Sequence, residues 1–176
     1  PRVVAKPPGP RAKSTVDLSW LDDNVIIPTG RRLIVVSSDY DQLYALDRQT
    51  GELLWETART SPKSGARADY LLGVKDERLY LGGKNSVHSH DTATGRPVWE
   101  YPLDVSLGRG ILVDGSIYIP VRDSIIRIDA ETGERVGTAR VASIHGEPVG
   151  NLYCDAKHFF VAGMEHILAL TELDRQ

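Results

Sequence analysis

Cysteine is nearly missing from this chain: among 176 residues there is one, Cys154. A single thiol excludes an internal disulfide framework and the paired-thiolate metal motifs. Its neighbours Leu152 and Tyr153 make an apolar, strand-like run, so Cys154 is read as a buried, inert thiol. Long apolar runs are also lacking, and none approaches the roughly 20 residues that a membrane helix needs. Amphipathic helical periodicity is absent throughout. Charge of one sign is missing too. The 21 Lys and Arg against 24 Asp and Glu leave a formal net charge of −3, which gives no general reason to expect nucleic acid or an anionic membrane as partner. With 41% hydrophobic and 26% charged residues, the composition is that of ordinary globular material in a single repeat domain.

What the chain has instead is a recurring phrase. Ala45-Leu46-Asp47-Arg48-Gln49-Thr50-Gly51, ending at Trp55, returns from Ser89 through Asp91 and Gly95 to Trp99, and again from Arg127 through Asp129 and Gly133 to Gly137. Each copy follows a β-branched and aromatic run. A period of about 40 residues points to four-stranded propeller blades and not to shorter solenoid units. Four short strands fit each repeat, with blades over about 20–58, 69–103, 109–142 and 149–176, the last incomplete. Turn signals separate the first two strands at Thr29-Gly30, Asp76-Glu77, Asp114-Gly115 and Asp155-Ala156. The expected fold is all-β, a β-propeller of four-stranded antiparallel blades. Residues 1–18, rich in proline and basic side chains, read as a semi-extended linker or closing segment.

The repeated residue types have a structural logic. Glycine after threonine relieves the steric cost of positive φ in a tight turn, and the aspartate four residues earlier can accept hydrogen bonds from the turn amides. Trp55 and Trp99 are amphipathic plates able to cover the next blade while the indole N–H finds an acceptor. Ala45, Asp47, Gly51, Trp55, Asp91, Gly95, Trp99, Asp129 and Gly133 are therefore read as framework residues rather than catalytic ones.

These stretches closely resemble the repeat of the pyrroloquinoline-quinone-like (PQQ-like, quinoprotein-type) propeller family, whose tryptophan-docking motif runs Ala-x-Asp-x-x-Thr-Gly-x-x-x-Trp. The resemblance covers roughly residues 20 to 176. Blade one matches every motif position. Blade two has Ser89 for the alanine, blade three has Arg127 for it and Gly137 for the tryptophan, and blade four has Thr171 where the aspartate belongs. Docking is expected to weaken toward the C-terminus. Because such propellers usually have about eight blades, the chain is expected to be an excised piece of a larger ring. The rival expectations are a half-ring completed by a second copy and a four-bladed ring closed by Val3 and Val4.

Two groups of residues are candidates for special chemistry. His88 and His90 share one strand face, as two metal ligands would require, but other blades carry Tyr44, Ile126, Leu46 and Ile128 at those positions. They are expected to be partly buried packing residues, and no metal site is expected. The second group lies on loops entering the innermost strands, around the channel mouth. Arg67, Tyr70, Arg109, Glu147 and Asn151 are the candidate ligand-binding residues there, since a guanidinium fork suits a carboxylate. The insertion from Thr57 to Ala68 is expected to be a mobile loop suited to partner contact.

The resemblance implies three functional classes. A non-catalytic scaffold would present its loops to a protein partner, and this is the expected function, with no cofactor. A sensor would be the ligand-binding propeller of a larger receptor or kinase. A PQQ-dependent dehydrogenase would need the quinone, a calcium ion held by oxygen ligands and an aspartate base, and the family's alcohol dehydrogenases also carry a vicinal disulfide that one cysteine cannot form. The resemblance further implies a bacterial, extracytoplasmic location.

Overall fold

Every described segment of the chain is strand or connecting turn. The structure is a computed structural model, described here over residues 25–37, 40–141, 149–155, 158–163 and 167–170. The expected linker over 1–18 lies outside these residues. Blade 1 is β1 (Val25–Thr29), β2 (Arg32–Val36), β3 (Gln42–Asp47) and β4 (Leu53–Ala58). Blade 2 is β5 (Tyr70–Lys75), β6 (Arg78–Gly82), β7 (Ser86–Asp91) and β8 (Pro97–Pro102). Blade 3 is β9 (Ile111–Val113), β10 (Ser116–Val121), β11 (Ser124–Asp129) and β12 (Arg135–Arg140), and blade 4 is β13 (Asn151–Cys154), β14 (Phe159–Ala162) and β15 (Ile167–Leu170). Each sheet is an antiparallel meander in chain order. The first strands of neighbouring blades approach one another, β5 with β9 and β9 with β13, which makes them the innermost strands.

Local chemistry explains why the strands end where they do. Asp76 and Glu77 both take positive φ, 47° and 59°, and Asp114 with Gly115 takes 47° and 79°, the backbone of a two-residue hairpin whose twist matches the sheet. At the third turn of each complete blade an aspartate organises the loop. Asp47 accepts from the amides of Gln49 (2.8 Å) and Thr50 (3.1 Å), Asp91 from Ala93 (3.0 Å) and Thr94 (2.9 Å), and Asp129 from Glu131 (3.0 Å) and Thr132 (2.8 Å). These bonds hold all three carboxyls below their ordinary range, led by backbone amides at Asp47 and Asp129 and by the Thr94 side chain at Asp91. Gly51, Gly95 and Gly133 follow at φ 75°, 72° and 75°, a conformation that costs other residues a Cβ clash.

Just past that turn each of blades 1 to 3 carries a β-bulge, because the register slips between Ala45 and Leu46, Ser89 and His90, and Arg127 and Ile128. The unpaired extra residues are Leu54, Val98 and Val136, all exposed. A bulge bends the strand and re-aims the side chain after it. In blades 1 and 2 that side chain is a tryptophan. Trp55 donates its indole N–H to the Thr92 carbonyl and Trp99 to the Ala130 carbonyl, both at 3.1 Å and both in the following blade. The rings lie over Gly95 and Gly133, where a Cβ would come within 2.5 Å of a ring carbon. Blade 3 has Gly137 at this position and places no indole on blade 4.

Strand alternation divides each blade into a face toward the preceding blade and a face toward the next. The core therefore lies between blades. Ile34, Val36, Leu43 and Ala45 of blade 1 pack on Leu79 and Leu81 of blade 2. Tyr80 and Val87 of blade 2 meet Ile117, Ile119, Ile126 and Ile128 of blade 3. Ile125 and Tyr118 of blade 3 meet Leu152 and Val161 of blade 4, with Tyr118 edge-on to Phe159 at 5.0 Å.

Two expectations are corrected here. Cys154 is exposed, because it closes the short β13 at a hairpin end and none of the described elements covers it. The insertion after β4 is tied down, not loose. Arg59, 1% exposed, donates to the carbonyls of Ser37, Ala68 (2.8 Å) and Asp69 (2.7 Å), and Thr60 bridges to Arg67 across the loop neck. Ser61 and Ser64 both donate to Glu100 on β8, the former at 2.6 Å.

Candidate functional site

The loops entering β5, β9 and β13 converge at the inner strands, and the structure brings three of the five candidate residues into one chain of contacts. Tyr70 opens β5 but is buried, 1% exposed, and its hydroxyl accepts the Gly110 amide at 3.0 Å. Burial pushes this phenol up to about 12, so it stays protonated. The Arg109 guanidinium lies 5.2 Å from the centre of the Tyr70 ring, a cation–π distance, and the Arg109 amide donates to Asn151 Oδ1 at 2.8 Å. Leu152 N in turn donates to the Arg109 carbonyl at 2.9 Å. Tyr70, Arg109 and Asn151 thus link the entries of blades 2, 3 and 4. Glycine permits this closeness: a side chain at Gly82 would collide with the Tyr70 ring, and one at Gly108 with the Gly150 backbone.

Arg67 stands apart from that chain. It is part-exposed and lies between two carboxylates, Asp41 at 3.6 Å and Asp69 at 3.7 Å. Asp69 also accepts the Lys84 amide at 3.0 Å, and Asp41 accepts the Thr60 hydroxyl at 2.8 Å. The result is a pinned polar rim with alternating charge. Glu147 and His145 lie outside the described residues.

The histidine pair belongs to the packing between blades 1 and 2. His88 and His90 pair across the sheet with Leu81 and Leu79, which face blade 1. Both are buried, their rings stacked at 6.2 Å. His88 Nε2 is 2.6 Å from Ser86 Oγ, and His90 Nδ1 donates to the Gly95 carbonyl at 3.1 Å. Burial lowers His88 to about 4, with His90 adding to the effect and Glu100 opposing it; burial lowers His90 as well. Among the described residues no three His, Cys, Asp or Glu side chains form a group that could hold a metal.

Sequence reasoning missed Arg59 as a structural residue. Its signal was present, since Trp55, Thr57 and Arg59 alternate onto one strand face, and the arginine continues the line of the tryptophan.

A family model described as outer membrane protein assembly factor BamB matches residues 11–81 and again 60–143. The chain belongs to this PQQ-like repeat family. Solved structures agree on the fold. BamB from Moraxella catarrhalis superposes with a TM-score of 0.58 at 20% identity, over 83% of this chain and 47% of that one. The designed protein Ika8 gives 0.61 at 16% identity, over 84% and 45%. Quinohemoprotein alcohol dehydrogenase from Comamonas testosteroni gives 0.60 at 17% identity, over 81% and 29%. The chain spans about half the length of BamB and of Ika8. No curated protein sequence matches it significantly.

The PQQ-like family also includes cofactor-binding dehydrogenases, which hold a quinone and a calcium ion. Among the described residues, the rim carboxylates Asp41 and Asp69 are engaged with Arg67 and with backbone or hydroxyl donors, and Arg109 is stacked on Tyr70. These residues do not make a fit for the quinone-calcium pair.

Proposed function

We propose that this PQQ-like propeller segment is a non-catalytic binding scaffold that presents its inner-strand loops and channel mouth to a protein partner. The observation that carries the reading is the construction of the loop from Arg59 to Asp69. A buried arginine, a bridge at the neck and two serines on Glu100 hold an exposed tip in one shape. Preordering a loop reduces what binding costs in conformational entropy, which is how a recognition surface gains affinity. Lys63 at the tip and Arg67 with Asp41 on the rim offer mixed charge, suited to a polar protein surface more than to a single anion. The family match to BamB supports the same class, and an extracytoplasmic, envelope-associated location belongs to this proposal.

The reading is tested by replacing residues 61–66 with a Gly-Ser linker of equal length. The variant should keep its β-sheet circular dichroism, because Arg59 and the blades are untouched, while retention of envelope proteins from a solubilised extract falls at least about tenfold, the scale of losing an interface centre. Equal retention by both forms would contradict it, as would a quinone that copurifies with the chain and supports alcohol-dependent dye reduction.

A further inference from the structure

The tip of the loop between β4 and β5 is fastened to blade 2 through one carboxylate, and the fastening works in one protonation state. Side chains alternate along β8, so that Trp99 reaches blade 3 while Glu100 turns back toward the loop that leaves blade 1. Ser61 donates to one Glu100 oxygen at 2.6 Å and Ser64 donates to the other. The loop's own backbone fixes the hydroxyls in this role. Ser61 Oγ accepts the amides of Lys63 (3.3 Å) and Ser64 (3.4 Å), and Ser64 Oγ accepts that of Ala66 (3.0 Å), so both hydroxyl protons are directed outward. A carboxylate offers an acceptor at each oxygen. A protonated carboxyl offers one acceptor and one donor, which leaves one hydroxyl proton without its partner and weakens the other bond.

The surroundings divide the loop into a part that titrates and a part that does not. Glu100 stands directly across the β7–β8 pair from His88, which stacks on His90, and Lys63 comes from the tip. Burial works against the charge on Glu100, but the hydroxyls of Ser61 and Ser64, with His88 and Lys63 adding to them, hold its carboxyl below the ordinary glutamate range. At the neck, Arg59 donates to the backbone carbonyls of Ser37, Ala68 and Asp69, which take up no proton in this range. Asp41 and Asp69 meet Arg67 there, away from the tip. Residues 62–65, between the two fastenings, are exposed.

We infer that Glu100 is a latch on the recognition loop: as a carboxylate it holds residues 61–66 in the presented shape, and when it takes up a proton it releases the tip while the neck stays closed. The inference rests on the reading of this loop as the partner-binding element and adds its regulation by acid. The sign follows from linkage. Bonds made to the ionised form lower the carboxyl, so the hold is complete above the ordinary glutamate range and is lost as pH falls through the lower folded value.

The test is amide NMR of the full chain from about pH 7 to about pH 3, with the Glu100 side-chain carboxyl carbon followed in the same samples. The amides of Lys63, Ser64 and Ala66 should move with the midpoint of that carboxyl. In Glu100→Gln, whose amide presents one acceptor and one donor as the protonated acid does, they should stand near their acid positions already at about pH 7 and cease to titrate. Ser61→Ala with Ser64→Ala reads the same coupling from the other side and should raise the Glu100 midpoint toward the ordinary glutamate range. Ser86→Ala with His88→Leu should leave the titration of the loop in place. Loop amides that do not follow Glu100, a Gln variant that matches the unchanged chain at neutral pH, or a Glu100 midpoint indifferent to the two serines would overturn the inference. A titration that disappears with His88 would assign the acid response to β7 and overturn it equally. These signals belong to the chain alone, whereas the binding reading fails through unchanged retention of envelope proteins when residues 61–66 are replaced, so the two failures are distinguishable.

Discussion

Gly51, Gly95 and Gly133 share one backbone conformation but not one environment, and that difference separates two costs. Alanine at Gly51 meets only the penalty of positive φ, about 1 kcal/mol, because open space surrounds its Cβ position. Alanine at Gly95 meets the same penalty and also displaces the Trp55 ring, so chemical denaturation should find it clearly less stable than Gly51→Ala. Equal losses would mean that the indole does not rest on that turn. Trp55 is part-buried, so Trp55→Ala should cost about 2 kcal/mol, less than the roughly 3 to 5 of a fully buried aromatic, and a change below about 0.5 kcal/mol would remove Trp55 from the dock. Arg59→Met keeps the stem's bulk but leaves the carbonyls of Ala68 and Asp69 without their donor, each worth about 1 to 3 kcal/mol when buried. Its urea midpoint should fall, with proteolytic cleavage appearing first between residues 60 and 68.

At the scale of the strand, β7 makes the interface between blades 1 and 2 sensitive to acid. His88 is held neutral in the fold down to about pH 4, whereas in the unfolded chain it takes a proton near pH 6.5. The unfolded state therefore binds more protons between those values. Stability is fully present above about pH 6.5 and declines as pH falls toward 4, by about 3 kcal/mol from His88 alone. Asp47, Asp91 and Asp129 are lowered from an already acidic value, so their loss comes below this window. The double change Ser86→Ala with His88→Leu, which removes both hydrogen-bonding partners together, should flatten melting temperature against pH between 6.5 and 4; an unchanged slope would place the acid sensitivity elsewhere. The elements themselves were legible in the sequence because Asp-x-x-Thr-Gly and the two-residue hairpin turns recur with little variation. The burial of His88 and His90 accords with the aromatic and aliphatic residues, Tyr44, Leu46, Ile126 and Ile128, at their positions in other blades. What could not be read were contacts between residues far apart in sequence: Tyr70 looked like a loop residue at a channel, and its burial depends on Gly110, 40 residues on. Ser61 and Ser64, which meet Glu100 on β8, looked like loop polarity for the same reason, and Arg59 reaches back to Ser37 as well as across its own loop to Asp69.

Over the whole molecule, the three cores lie between blades, and stability is shared between neighbours in the way of a repeat array. Trp55 and Trp99 reinforce the first two junctions, while the third rests on Ile125, Leu152, Val161 and the Tyr118–Phe159 pair. Blade 4 should accordingly exchange its amide hydrogens before blades 1 to 3. The rigid blades fix the positions of the inner loops, where we propose that a partner protein binds. Photo-cross-linking tests it most directly, with a light-activated residue placed in turn at Lys63 on the loop tip, at Arg67 on the rim and at Val136 on the exposed bulge of blade 3, in the chain expressed in its own cell envelope. Discrete protein adducts are expected from Lys63 and Arg67 and none from Val136. Adducts from Val136 alone, or the same adducts from all three positions, would contradict it.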